Sequence, residues 1–166
     1  VADAENKITF KLSTDPATQC DAVKFVSTTE TEVPTALKFG TATPVKFAGL
    51  WKYSDSKTFD YIASLEVVEG ATMTMTNMIT ATATNPATTA ITNNGTVNIS
   101  GATTLKLNMT NNGVIDIPVG AEFLMNGAEL TNNATSLEVY GKIDNAGSLG
   151  VQSNTSGKIN NYGYIT

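Results

Sequence analysis

The chain has no histidine and no arginine among its 166 residues, and Cys20 is its only cysteine. Without His, no residue changes charge near neutral pH at its ordinary pKa, so imidazole acid/base catalysis is excluded. Without Arg, there is no planar fork to grip a phosphate or carboxylate through two parallel bonds. One Cys cannot close an intramolecular disulfide, and with no His beside it zinc is effectively excluded. Cys20 reads as a small buried hydrophobe, with an intermolecular bridge as the alternative. The formal charge is −5, and its ten cations are all lysines, which makes nucleic acid a poor partner. No apolar run approaches the roughly 18 residues of a membrane helix, so no membrane span is expected. The chain does not open on Met, as a secreted protein that has shed its signal peptide would not.

What is abundant is asparagine. An apolar residue, a polar residue, Asn, any residue and Gly recur as Ile91-Thr92-Asn93-Asn94-Gly95, Met109-Thr110-Asn111-Asn112-Gly113, Ile143-Asp144-Asn145-Ala146-Gly147 and Ile159-Asn160-Asn161-Tyr162-Gly163. Leu130-Thr131-Asn132-Asn133-Ala134 is a further copy without its Gly. The uneven spacing is wrong for helical repeats and suits a coil of short strands whose corners absorb insertions, a parallel β-solenoid. Asn93, Asn111, Asn132, Asn145 and Asn161 are expected to stack as a corner ladder of side-chain amides, with Gly95, Gly113, Gly147 and Gly163 turning the chain through positive φ. On that reading Asn145→Leu destabilises the coil. Gly-Ala at 70–71, 101–102 and 120–121 reads as a second corner of the same coil.

The two ends of the chain differ in chemistry. Every Asn but Asn6 lies at or after Asn77, whereas every Phe but Phe123, the sole Trp and most lysines lie before residue 60. We place a boundary near residue 64. Residues 1–64 read as a small antiparallel β cap or sandwich: Ile8, Phe10 and Leu12 alternate with Lys7, Thr9 and Lys11, the period of a half-buried strand. Leu37-Lys38-Phe39 and Val45-Lys46-Phe47 flank Gly40-Thr41-Ala42-Thr43-Pro44 like a hairpin with a long loop. Residues 65–166 read as the solenoid.

The tandem Ile143-Asp144-Asn145-Ala146-Gly147-Ser148-Leu149 and Ile159-Asn160-Asn161-Tyr162-Gly163-Tyr164-Ile165 resembles the repeats of filamentous-haemagglutinin-type adhesins and related surface β-helix proteins. The resemblance covers about the last hundred residues. It implies an all-β, right-handed parallel β-helix that is secreted to the cell surface for structural or adhesive work; from the residues themselves, no cofactor is expected. The chain stops at Tyr164-Ile165-Thr166 just past a corner, so either it is part of a longer protein or its open last turn pairs edge-to-edge into a homo-oligomer or polymer, the pairing being the expected partner contact, with glycans or a host surface as further partners.

The alternative is a carbohydrate-binding module. Trp51, Tyr53 and Tyr61 would stack sugar faces, or Tyr140, Tyr162 and Tyr164 would; the competing reading of the first set is packed core. An enzyme is not expected. Polysaccharide hydrolysis on a β-helix needs two convergent carboxylates, and after residue 70 the only acids are Asp116, Glu122, Glu129, Glu138 and Asp144, with no paired spacing. No acid-rich calcium turn or phosphate-binding glycine loop is present either, so no metal is expected. Thr72, Thr74, Thr76, Thr80, Thr82 and Thr84 alternate with Met and Ala like an outward ice-ordering plane, but later turns lack the pair in phase, and a strand with Thr outward is preferred. Sequons stand at Asn94, Asn98, Asn108, Asn133 and Asn154, about as many as this composition gives by chance, and would place any N-glycans on outward corners.

Overall fold

A computed structural model describes residues 8–9, 22–84, 89–134, 137–151 and 159–166. Cys20, Phe10, Leu12 and the sequon at Asn154 lie outside these residues. The described chain is all β: β1 (Ile8–Thr9), β2 (Val23–Glu32), β3 (Ala36–Tyr53), β4 (Lys57–Val67), β5 (Thr72–Ile79), β6 (Ala81–Thr84), β7 (Ala90–Asn93), β8 (Thr96–Leu105), β9 (Met109–Asn111), β10 (Val114–Ile117), β11 (Glu122–Asn132), β12 (Leu137–Val139), β13 (Lys142–Val151), β14 (Ile159–Asn161) and β15 (Tyr164–Ile165). Every pairing among them is parallel, each strand lying on the strand one turn earlier or later. The fold is a parallel β-solenoid.

Each turn contributes to three stacks. In the first, Trp51, Met73, Val97, Ile115 and Leu137 are in register. In the second, Leu105, Met125 and Asn145 are aligned by their backbones. In the third, Val45, Leu65, Ile91, Met109 and Leu130 are aligned. Parallel rungs lie about 4.8 Å apart, so identical positions on successive turns touch. Inward positions are apolar and buried, as β5 shows with Met73, Met75 and Ile79 inside while Thr72, Thr74 and Thr76 are half-covered. These outward threonines do not continue as a plane, since Thr72 is followed by Thr96 and Val114 and Thr74 by Asn98 and Asp116.

The segment expected to pair antiparallel belongs to this same coil. β2 lies parallel on β3, and β3 lies parallel on β4. Leu37-Lys38-Phe39 and Val45-Lys46-Phe47 are two stretches of the one strand β3, and the expected hairpin loop between them is a corner from the second stack to the third. Period-two alternation reports one buried face and is silent about the direction of the neighbour, which is why it misled here. The core also runs through unbroken: Phe39, Phe47, Tyr53 and Phe59 join Met73, Ile91, Leu105 and Ile143 in one cluster. Phe25 stacks on Phe47 with ring centres 5.6 Å apart, and both meet Trp51 edge-on.

The corners divide into two physical kinds, and not as the sequence suggested. Left-handed φ occurs at the Gly-Ala corners, at Gly70 (77°), Gly101 (62°) and Gly120 (86°), and not at Gly95, Gly113 or Gly163. At the Asn-Gly corners the constraint is space: a Cβ on Gly113 would stand 2.1 Å from the backbone oxygen of Gly95 one turn earlier. Gly163 meets the oxygen of Gly141 in the same way, at 2.0 Å. Glycine there lets one turn settle directly on the previous one.

Candidate functional site

The most elaborated polar feature is a pair of amide ladders along the corner between the third and first stacks. The inward row of the third stack runs Phe47, Val67, Asn93, Asn111, Asn132, changing from apolar to amide in mid-stack. The three Asn side chains are fully buried. Burial of an unpaired amide costs on the order of 1–3 kcal/mol, so they persist by satisfying one another. Gly95 N–H donates to Asn93 Oδ1 at 3.1 Å, which turns the Asn93 amide nitrogen toward the next turn. Asn93 Nδ2 donates to Asn111 Oδ1 at 2.7 Å, 18 residues on, and to the Val114 carbonyl at 2.8 Å. Asn111 Nδ2 donates to Asn132 Oδ1 at 2.7 Å, 21 residues on, and Asn132 donates to the Ala134 carbonyl.

The residues next in sequence build a second ladder outside the first. Glu66 can only accept, so Asn94 presents its Nδ2 at 2.8 Å and turns its oxygen to the following turn. Asn112 Nδ2 donates to Asn94 Oδ1 at 2.8 Å, and Asn133 Nδ2 donates to Asn112 Oδ1 at 3.0 Å. The Glu66 carboxylate therefore sets the direction of the outer row, which runs opposite to the inner one. Glu66 is held in turn by Lys46 at 2.8 Å. The hydrogen bond from Lys46 lowers the Glu66 pKa below its ordinary 4.5, against a smaller upward push from burial, and Asn94 and the Lys46 charge add to the lowering. An open groove of about 680 Å³ runs over this corner, lined by Lys24, Lys46, Glu66, Glu69, Asn94 and Asn112 among others.

The remaining ion pairs follow the same geometry. Lys38–Asp60 at 2.9 Å and Lys142–Glu122 each join register partners on successive turns. Lys57, with its side chain only 3% exposed, reaches Glu32 of the preceding turn at 2.6 Å and lies 5.3 Å over the ring of Tyr53. Burial raises the Glu32 pKa, but the hydrogen bond from Lys57 and those from Ser54 outweigh it and leave the group below 4.5. Tyr53 donates to the Thr80 carbonyl at 2.7 Å, and burial first, then the nearby Glu32 charge, push its phenol far above the ordinary range.

The structure brings together three of the five expected ladder asparagines. Asn145 is aligned with Met125 in the second stack and Asn161 with Val139 in the first, so neither continues the column of Asn132. Val151 occupies that position one turn later. Gly147 lies within β13, opposite the register break of β11. The corner at Tyr140-Gly141, which carries no Asn, was missed by sequence reasoning; the repeat of Tyr-Gly at 162–163 was the signal available for it.

The aromatic platform proposed at Trp51, Tyr53 and Tyr61 is not a surface. Trp51 is 6% exposed with its indole N–H on the Ala48 carbonyl at 2.8 Å, Tyr53 is fully buried, and Tyr61 packs half-buried against the core. Exposed aromatic rings occur instead at Tyr140, Tyr162 and Tyr164, where Tyr140 and Tyr162 stack with centres 5.1 Å apart and planes 11° from parallel. Of the sequons, Asn94 and Asn133 have their amide nitrogens committed to the outer ladder. Asn98 is half-covered on β8, and Asn108 is exposed while its oxygen accepts from the Glu129 N–H at 3.0 Å. No group of three or more metal-binding side chains occurs among the described residues, and no helix there is long and apolar enough to cross a membrane.

No family model matches the sequence, and comparison with curated proteins and with solved structures gives no match. The solenoid is common ground with β-helix proteins in general, and the adhesin resemblance rests on the corner motifs.

Proposed function

We propose that this chain is a non-catalytic structural segment of a secreted cell-surface protein, a rod that carries adhesion or extracellular assembly. The observation that supports it is where the polar side chains are spent. The described ion pairs Lys38–Asp60, Lys46–Glu66, Lys57–Glu32 and Lys142–Glu122, and both amide ladders, connect one turn to the next along the coil. Such pairing stiffens the axis and presents a repeating polar surface, as a spacer or fibre subunit requires. Negative-stain electron microscopy across a protein concentration series tests it. Regular filaments or sheets would support assembly through the strand edges. Dispersed particles that bind cells or matrix would support adhesion, and dispersed particles that hydrolyse or cleave a polysaccharide would sink the proposal.

A second reading, carbohydrate binding, is favoured only by the exposed Tyr140, Tyr162 and Tyr164. Sugar faces stack on exposed aromatic rings. Glycan-array binding that disappears in Tyr162→Ala with unchanged thermal unfolding would support that reading.

A further inference from the structure

Three Asn-Gly dipeptides occur among the described residues, at Asn94-Gly95, Asn112-Gly113 and Asn126-Gly127. Glycine has no Cβ to obstruct its backbone nitrogen, so such pairs are those in which that nitrogen most readily attacks the preceding side-chain amide. The fold treats the three differently. Asn94 is clamped between Glu66 and Asn112, and the Gly95 N–H is engaged by Asn93 Oδ1. Asn112 is clamped between Asn94 and Asn133, and the Gly113 N–H donates to the Asn93 carbonyl at 3.0 Å. In both, the side-chain amide must leave its ladder partners and the glycine N–H its acceptor before the two can meet. Asn126 stands outside the ladders, exposed, at the point where the pairing of β11 with β13 shifts register. Gly127 follows it with φ of 74° and is also exposed.

We propose that Asn126 is the site of spontaneous succinimide-mediated deamidation in the folded protein, and that the two ladder pairs are protected by stacking. The Gly127 nitrogen loses its proton and bonds to Asn126 Cγ, closing a five-membered imide. The bond between Cγ and Nδ2 of Asn126 breaks, and ammonia leaves carrying the proton. Water then opens either imide carbonyl, giving aspartate or, with the backbone rerouted through the former side chain, isoaspartate. No oxidant, metal or enzyme is required. The position also tolerates the product. The extra backbone methylene of isoaspartate falls in a bulge where Gly127 and Ala128 already break the register, leaving Glu122–Asn126 against Lys142–Ala146 and Glu129–Asn132 against Ser148–Val151.

The test is incubation of the whole chain in mildly alkaline buffer, natively and in parallel in concentrated urea. Peptide mapping follows, with electron-based fragmentation to separate Asn112 from Asn126, which share the peptide between Lys106 and Lys142. The expected result is that native Asn126 converts at least about tenfold faster than Asn94 or Asn112, because only the latter two await local unfolding, and that the three rates converge in urea. Asn126→Gln should abolish the acidic form that accumulates in the native protein. Equal native rates at the three sites, faster conversion at either ladder site, no native conversion at Asn126 over a time in which the urea sample converts, or an acidic form that persists in Asn126→Gln would each overturn the proposal.

Discussion

At the scale of single residues, Asn111 is the most consequential side chain in the corner, because it is the middle member of a buried row. Asn111→Leu removes one of the two acceptors of the Asn93 amide nitrogen, which keeps the Val114 carbonyl, and removes the donor that Asn132 Oδ1 receives from Asn111, both at fully buried residues. At about 1–3 kcal/mol for each buried group that loses a partner, and with some repacking of the leucine, a loss of about 2–4 kcal/mol is expected in urea unfolding. Asn112→Leu, on the exposed outer row, should cost less than about 1 kcal/mol by the same reasoning, since water replaces its partners. Equal losses would mean that burial is not what gives the inner ladder its weight. The sequence disclosed these asparagines because three copies of one pattern fall at one corner. It could not show that Asn145 and Asn161 fall elsewhere: Asn and Gly recur at different corners for related reasons, and only the register, set by the lengths of the intervening segments, tells them apart.

The acids of the coil give a second expectation at this scale. Glu32 and Glu66 both sit below their ordinary 4.5 in the folded chain. A lowered folded pKa means that the unfolded chain binds more protons across the interval between the two values, so the stability they contribute is complete above about 4.5 and fades as pH falls through the folded values. Melting temperature followed downward in pH should therefore drop below that point, and the drop should be shallower in the double variant Glu32→Gln, Glu66→Gln. A slope unchanged in the variant would assign the acid sensitivity to other carboxylates.

At the scale of the elements, the two kinds of corner separate by substitution. Gly120→Ala places a Cβ in open space but on a residue with φ of 86°, a strain of about 1–2 kcal/mol. Gly113→Ala faces no such strain, yet its Cβ would lie 2.1 Å from a backbone oxygen that cannot rotate away. Relieving that contact means lifting one turn from the next, so Gly113→Ala should destabilise more than Gly120→Ala. A reversed order in chemical unfolding would show that the stack yields more easily than the backbone torsion. The strands themselves were legible in residues such as Met73, Leu105 and Val97, because apolar alternation and solenoid rungs share period two. Their neighbours were not. Leu37 and Val45 alternate as well in a parallel coil as in a hairpin, and what decides is whether Gly40–Pro44 reverses the chain or merely bends it toward the next stack.

At the scale of the whole molecule, a coil in which each turn touches chiefly its neighbours is nearly one-dimensional, and its cooperativity depends on how evenly stability is spread along the axis. Here it is uneven. The earlier turns hold Phe25, Phe47 and Trp51 in mutual ring contact, with Tyr53 and Phe59 in the same core and the buried Lys57 reaching out to the exposed Glu32, whereas the later ones rely on aliphatics, the single ring of Phe123 and the amide ladder. Trp51, buried against Phe25 and Phe47, reports the earlier turns alone, while far-ultraviolet circular dichroism reports all of them. In the unaltered protein the two probes should give coincident urea transitions, with Trp51 emission blue-shifted until unfolding begins. Asn111→Leu should pull them apart, lowering the dichroism midpoint and moving the Trp51 midpoint less, because the weakened interface lies beyond the aromatic turns. Phe47→Ala should move both, at a cost of about 3–5 kcal/mol for a large buried ring, since it removes the centre of the stronger block. Midpoints that shift together in Asn111→Leu would show that the coil unfolds as one unit, with the ladder and the aromatic core sharing a single transition.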